Sequence, residues 1–242
     1  MKIQTASLSH QGGRSSNDDA VRILERGDKL CVFVGDGLGS YAGGALASQA
    51  AAEACLQAAH RGSLLDDSRL QQTAAAAQEA VLALQAAQGG RMMTTLVLLG
   101  IEAGHARWMH IGDSRLYHFQ NGRLMKQTMD HSVSQVAVLM GQITAAEIRH
   151  HEDRNRILRA VGGENAKPDI APMITVGPDD AFLLCTDGFW EYVLEEEMEQ
   201  TLRAAADPTD WLARMEQILR QRVPDNNDNY TAAAVICRRR GA

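Results

Sequence analysis

No run of apolar residues in this 242-residue sequence approaches the roughly 20 that a membrane-spanning helix needs, which excludes a helical membrane protein. Surplus positive charge is also missing: 24 Lys and Arg stand against 30 Asp and Glu, for a formal net charge of −6. A protein that binds nucleic acid by neutralising phosphates concentrates the opposite sign on one face, so no nucleic-acid partner is expected. The one dense basic run, Arg238 to Arg240, closes the chain and reads as a solvated tail. The four cysteines, at 31, 55, 185 and 237, form no CxxC pair, and three sit in apolar strand-like runs, as buried thiols of a reducing compartment do. The first twenty residues contain His10, Arg14, Asp18 and Asp19 and no apolar core, so no secretory leader is expected and the expected location is cytoplasmic. Internal repeats and low-complexity linkers are lacking too, which favours one domain over residues 1–242.

What is present suits a folded domain: 45% hydrophobic and 22% charged residues, over a length that can bury a sizeable core. Periodicity predicts strands over 2–9, 20–25 and Leu30–Gly35. Two alanine-rich, proline-free stretches, Ala45 to about His60 and Asp66 to about Gln88, predict long helices. Strands return over Thr94–Ile101, His105–Ile111 and Leu116–Phe119, and Asn121-Gly122 is a hairpin signal ahead of Arg123–Lys126. These read as one antiparallel meander. The polar segment Asp130–Gly163 carries His150 and His151 and a capping box, Thr144-Ala-Ala-Glu147, and reads as a mobile excursion from the sheet. Strands over Ala181–Cys185 and Thr231–Cys237 are separated by helices predicted to start near Glu191 and after Asp207-Pro208. The pattern predicts an α+β fold with helices packed outside antiparallel sheets.

The stretch CVFVGDGLGSYAGG, residues 31 to 44, drives an apolar strand into Asp36. The arrangement recurs: WMHIGDS delivers Asp113, FLLCTDG delivers Asp187, and DNNDNYTAAAVI places Asp225 and Asp228 just before a strand. Any one of these is unremarkable, because Asp and Gly favour turns at solvated strand ends. Four such ends plus the pair Asp18-Asp19 are different, since carboxylates brought together repel unless a cation joins them. An all-oxygen donor set without His or Cys at ligand spacing selects Mg²⁺ or Mn²⁺ over zinc. The glycine after Asp36 leaves backbone room for the Gly37 carbonyl to face a metal. Other readings fail: Asp36 within the glycines would repel a pyrophosphate, and neither the Gly-Lys-Ser/Thr of a P-loop nor an EF-hand pattern occurs.

Arg14-Ser-Ser-Asn17-Asp18-Asp19, Val34-Gly-Asp36-Gly37-Leu-Gly39, Met93-Thr94-Thr95, Gly112-Asp113-Ser114-Arg115, Thr186-Asp187-Gly188-Phe-Trp190-Glu191 and Asp228-Asn229 together resemble the protein phosphatase 2C family of metal-dependent serine/threonine phosphatases. The motifs keep the family's order from about residue 5 to 237. The resemblance implies a β-sandwich of two antiparallel sheets flanked by pairs of helices. It also implies a flap after Asp130-His131-Ser132, near residues 131–154. By resemblance, Asp36 bridges two Mn²⁺ or Mg²⁺ ions, and Asp187 and Asp228 complete the first. Asp18, where the family often has glutamate, supports the second beside the Gly37 carbonyl. Asp19 and Asn229 stand behind these ligands, and Asp113 with Glu191 matches a third, weaker site of bacterial members. Arg14 resembles the arginine that grips the substrate phosphate.

The implied chemistry is direct attack of a metal-bridging hydroxide on phosphoserine or phosphothreonine, without a phosphoenzyme. Where some members carry a histidine after the Asp-Gly pair, this chain has Leu38. A metal-bound water then becomes the expected acid, ahead of His10, His131 and the flap histidines, while His60, His105, His110 and His118 are expected in surface or structural roles. The partners implied are phosphoproteins, with a eukaryotic-like Ser/Thr kinase and its forkhead-associated target foremost, as in members tied to type VI secretion. The contrasting reading is a pseudophosphatase that docks a kinase or phosphoprotein. Anti-sigma-factor regulators share the fold but usually carry sensor domains or fewer of these motifs.

Overall fold

A computed structural model describes residues 1–39 and 43–239; residues 40–42 and 240–242 lie outside the described residues. Thirteen strands and six α-helices form four layers among these residues. The first sheet has the order β1 (Lys2–His10), β13 (Tyr230–Arg238), β12 (Asp180–Cys185), β8 (Arg115–Gln120) and β9 (Arg123–Gln127). In the second, β10 (Asp169–Ile170) is followed by β7 (His105–Ile111), β6 (Leu96–Glu102), β3 (Lys29–Gly35) and β2 (Ala20–Arg26), with β11 (Ile174–Thr175) also on β7. All pairings are antiparallel. A short ladder joins β4 (Gly37–Gly39) to β5 (Met92–Thr94).

Alternation along the strands sets the layers. In β3, Leu30, Val32 and Val34 face the other sheet and meet Phe182, Leu184, Ala233 and Val235 in the central core. Cys31 and Phe33 point outward, onto α1 (Gly43–Arg61) and α2 (Asp67–Gln88). Ala47, Ala51, Ala52, Ala74 and Ala77 line that contact, so small side chains let both helices lie close to the sheet. On the opposite flank Tyr117, Phe119, Leu183 and Ala234 pack against Met198 of α5 (Glu195–Ala204) and Trp211, Met215 and Leu219 of α6 (Pro208–Arg220). Both faces of both sheets are covered, which is why the strands read as continuous apolar runs.

Most predicted elements stand where periodicity put them, and the Asn121-Gly122 turn has φ of 52° and 70°, as a two-residue hairpin requires. Three expectations need correction. The strands from Thr94 to Lys126 are not one meander: β6 and β7 pair in one sheet and β8 and β9 in the other, and Gly112-Asp113-Ser114 carries the chain across. Gly112 makes that step at φ 104°, closed to other L residues. The strand expected over Thr94–Ile101 is two, interrupted at Thr95, whose hydroxyl is used elsewhere. The helix expected near Glu191 is a single turn, α4 (Asp187–Trp190), followed by α5 from Glu195.

The polar excursion after β9 is ordered as α3 (Val133–Leu139) and a 3-10 turn (Ala145–His150) opened by the Thr144/Glu147 capping box. Its two ends meet: Ser132 bridges Ile157, Val133 N–H donates to Arg156 O at 2.9 Å, and Leu158 N–H donates to His131 O at 2.7 Å.

Candidate metal centre

The strand registers gather the acids at one end of the sandwich. Ala20, just after Asp18-Asp19, pairs with Gly35, just before Asp36. Cys185, two residues before Asp187, pairs with Ala232, close to Asp228-Asn229, and with Arg115, two residues after Asp113. A cleft of about 550 Å³ opens there, lined by Arg14, Asp18, Asp36, Gly37, Asp113, Asp187, Asp228 and Asn229 of the expected set, with Ser15, Ser16, Leu38, Asn155 and Ile157 added.

The backbone around each acid is held from several sides. Asp36 N–H donates to Thr95 Oγ1 at 2.8 Å, and Thr95 Oγ1 lies 2.6 Å from Ser114 Oγ, tying the Asp36 turn to the Asp113 crossover. Asn229 Oδ1 accepts from Asp18 N–H at 2.9 Å while its amide donates to Gln11 O and Ser16 O at 2.7 Å, so it pins the loop that presents Arg14 and Asp18. Asp19 lies beneath the cleft, where its Oδ2 accepts from Thr186 Oγ1 at 2.9 Å. A side chain at Gly37 would collide with Gly44 O at 2.2 Å and Asp18 O at 2.4 Å, so the start of α1 and the Asp18 segment close on it. Arg14 pairs through both arms with Asp228, Nε to Oδ1 at 2.9 Å and NH2 to Oδ2 at 2.7 Å.

These donors suit hard cations. Both Asp113 carboxylate oxygens and Asp19 Oδ1 are buried without a hydrogen-bond partner. Burial and the mutual repulsion of the acids hold the Asp36 and Asp187 carboxyls well above the ordinary carboxylate range. Burial pushes Asp19 and Asp113 up to about 7. Acids made this reluctant to ionise together, in a donor set of oxygens alone, form a site that divalent Mg²⁺ or Mn²⁺ would relieve.

A buried cation braces the site from behind. Arg115 donates to both oxygens of Asp130, at 2.8 and 2.7 Å, and stacks 3.4 Å above the Trp190 ring. Trp190 Nε1 in turn donates to Asp113 O at 3.0 Å. His131 grips the crossover twice, its backbone N–H donating to Gly112 O at 2.9 Å and its Nδ1 accepting from Gly112 N–H at 3.1 Å. Asp130→Ala, which strands the Arg115 charge, is expected to destabilise the fold by about 3–5 kcal/mol, read by denaturant unfolding.

Glu191 stays at the edge of the site, its Oε1 accepting from Arg154 Nε of the excursion at 2.9 Å. No histidine lines the cleft. His10 sits 3.1 Å from Glu216, His131 is committed to Gly112, His110 Nε2 bonds Met129 O and His118 Nε2 bonds Asp180. His131, ranked behind a metal-bound water as the acid, is thus held away from the cleft. Sequence reading missed the contributions of Ser16, which donates to Asp18 Oδ1 at 2.9 Å, and of Arg154, Asn155 and Ile157. The excursion carries no motif for the last three, since their placement depends on how it folds back.

The protein phosphatase 2C family model matches residues 7–227. The serine/threonine protein phosphatase PstP of Mycobacterium tuberculosis is 31% identical over 235 residues, covering 93% of this chain and 43% of that protein. The chain thus spans less than half of that relative's length. The catalytic domain of PstP solved with two manganese ions superposes with a TM-score of 0.83 at 27% identity, covering 97% of both chains. PppA, described as a key regulatory component of the type VI secretion system in Pseudomonas aeruginosa, superposes with a TM-score of 0.80 at 28% identity over 98% of both. No helix among the described residues is long and apolar enough to cross a membrane.

Proposed function

This chain belongs to the protein phosphatase 2C family, and we propose that it is a metal-dependent serine/threonine protein phosphatase whose catalytic unit is the whole sandwich. The observation that carries the reading is the convergence of Asp36, Asp187 and Asp228 on one cleft, where burial and neighbouring carboxylates hold the Asp36 and Asp187 carboxyls well above the ordinary range. Asp36 would be shared by two ions, Asp187 and Asp228 would complete one, and Asp18 with the Gly37 carbonyl would support the other. When bound, such a pair supplies an activated water near neutral pH and polarises the phosphoryl oxygens.

The chain's own residues do the rest. Arg14 presents to the cleft the planar fork that now pairs with Asp228, and the same fork matches the oxygens of a phosphate. Asn229 and Ser16 hold the Arg14–Asp18 loop in place, so phosphate and ions are positioned by one segment. Leu38 offers no proton at the cleft, so the departing serine or threonine oxygen takes its proton from water. Asn155 and Ile157 give the cleft a wall against which a phosphopeptide can lie.

Hydrolysis of a phosphothreonine peptide by purified protein is expected with Mn²⁺ and Mg²⁺, and to vanish on chelation and in Asp187→Ala. No release by folded protein with either metal would leave a docking module for a kinase or phosphoprotein as the reading. For the biological target, the family resemblance of the motifs suggests a eukaryotic-like kinase or its forkhead-associated substrate, and the likeness to PppA suggests only a type VI secretion setting. Unchanged threonine phosphorylation of both in a deletion strain would remove that assignment.

A further inference from the structure

Two acids of the expected set already have a cation: Asp228 is paired with Arg14, and Glu191 with a side chain of the excursion. The Glu191 side chain is 12% exposed, and Arg154 Nε reaches it at 2.9 Å. Arg154 belongs to the excursion: its N–H donates to His151 O at 3.1 Å, and one and three residues on, Asn155 and Ile157 form the cleft wall. The pair is therefore a strut from the substrate wall to the metal end of the sandwich. The other nearby cations are engaged elsewhere. Arg115 is spent on Asp130, and Arg149 donates to Glu195 at 2.7 and 2.6 Å and to Trp190 O. Asp113, by contrast, is buried with both oxygens unpartnered, and its carboxyl is raised by that burial first, then by Asp130, with Glu191 adding in the same direction.

We propose that Arg154 is a positioning residue that fixes the flap wall through Glu191 and competes with a third divalent ion for that carboxylate. This rests on the two-metal reading above. A guanidinium and a dication drawn to one carboxylate repel each other, so while the strut is made the Asp113–Glu191 pair offers a third ion only half its charge. When the strut breaks, Glu191 becomes available and the Arg154–Asn155 part of the wall loses its side-chain tie, while Ile157 stays paired with Ser132. The chain is thus a two-ion protein with its wall closed, and a third ion and a fixed wall exclude one another.

The test is calorimetric titration of chelator-treated full-length protein with Mn²⁺ alone, for the native chain, Arg154→Gln and Arg154→Lys. Two equivalents are expected in all three, and Arg154→Gln is expected to take a third at least tenfold more tightly than the native chain. Arg154→Lys restores the native behaviour, and Glu191→Gln in the Arg154→Gln background removes the third equivalent. In parallel, Arg154→Gln is expected to raise KM for a phosphopeptide several-fold with a smaller change in kcat. A third equivalent of equal affinity in native and Arg154→Gln proteins, or none in either, overturns the competition. Loss of the first two equivalents from the native chain would instead sink the metal-centre reading, and this inference with it.

Discussion

Replacing Asp36 by Asn is expected to lower kcat on a phosphothreonine peptide by roughly three orders of magnitude or more in manganese-replete buffer, with the circular dichroism spectrum unchanged. The size follows from position. The Asp36 carboxyl is buried and lies in the field of Asp187, Asp19, Asp113 and Asp228, and in the proposed centre it is the carboxylate that the two ions would share. An amide keeps the volume and loses the charge on which both ions of the proposed centre would depend. The fold should survive because the backbone of this turn is held independently, by Thr95 Oγ1 accepting from Asp36 N–H and by Thr95 N–H donating to Asp36 O. Relief of repulsion among the acids should even raise the melting temperature of the chelated variant above that of the chelated native chain. Near-native turnover by Asp36→Asn would contradict the assignment of this carboxyl.

The second large effect is an inverted pH dependence of stability without metal. Asp19 and Asp113 hold their protons up to about 7 in the folded chain, whereas an unfolded aspartate releases its proton near a pH of about 3.9. Between those values the folded state binds more protons than the unfolded one, so stability falls as pH rises and levels off only above the folded pKa values. Asp36 and Asp187, also raised by burial and neighbouring acids, act in the same direction. His110, lowered to about 4 by burial, and His131, also lowered by burial, work the other way, but only below the ordinary histidine range. Between pH 6.5 and 8.5, chosen to lie above that range, each retained proton contributes about 1.4 kcal/mol per pH unit. For a domain of this size this corresponds to about 2–4 °C per kcal/mol. Chelated protein is therefore expected to melt several degrees lower at pH 8.5 than at 6.5. Mn²⁺ should reverse the slope, because cations displace protons more easily as pH rises. A flat melting curve across this window in chelator would show that the acids do not share charge as their positions require.

Much of this centre was legible because its residues punctuate strands. Asp36, Asp113, Asp187 and Asp228 each mark where an apolar run stops or starts, and antiparallel pairing brings such points to one end. The crossover at Gly112 was not legible, since a three-residue link reads alike whether the next strand joins the same sheet or the facing one. Thr95 looked like a strand residue because threonine favours strands, and its use as a latch on Asp36 depends on a contact 59 positions away. Arg154 and Glu191 are 37 positions apart in segments without shared periodicity, so no pattern announces their bond. The start of α5 was misplaced because the Asp187–Trp190 turn and the Leu194 cap lie within one apolar and acidic run.

The meeting of the excursion's two ends at Ser132 and Ile157 has an evolutionary corollary. A segment that leaves and re-enters through a tied neck can gain, lose or exchange residues with little consequence for the registers on which the carboxylates depend, because lengthening a closed loop adds only a slowly growing entropy cost. Divergence in what is recognised can then run ahead of divergence in the chemistry. Such a scaffold lets descendants acquire new targets by rewriting about two dozen residues while the remainder is inherited unchanged.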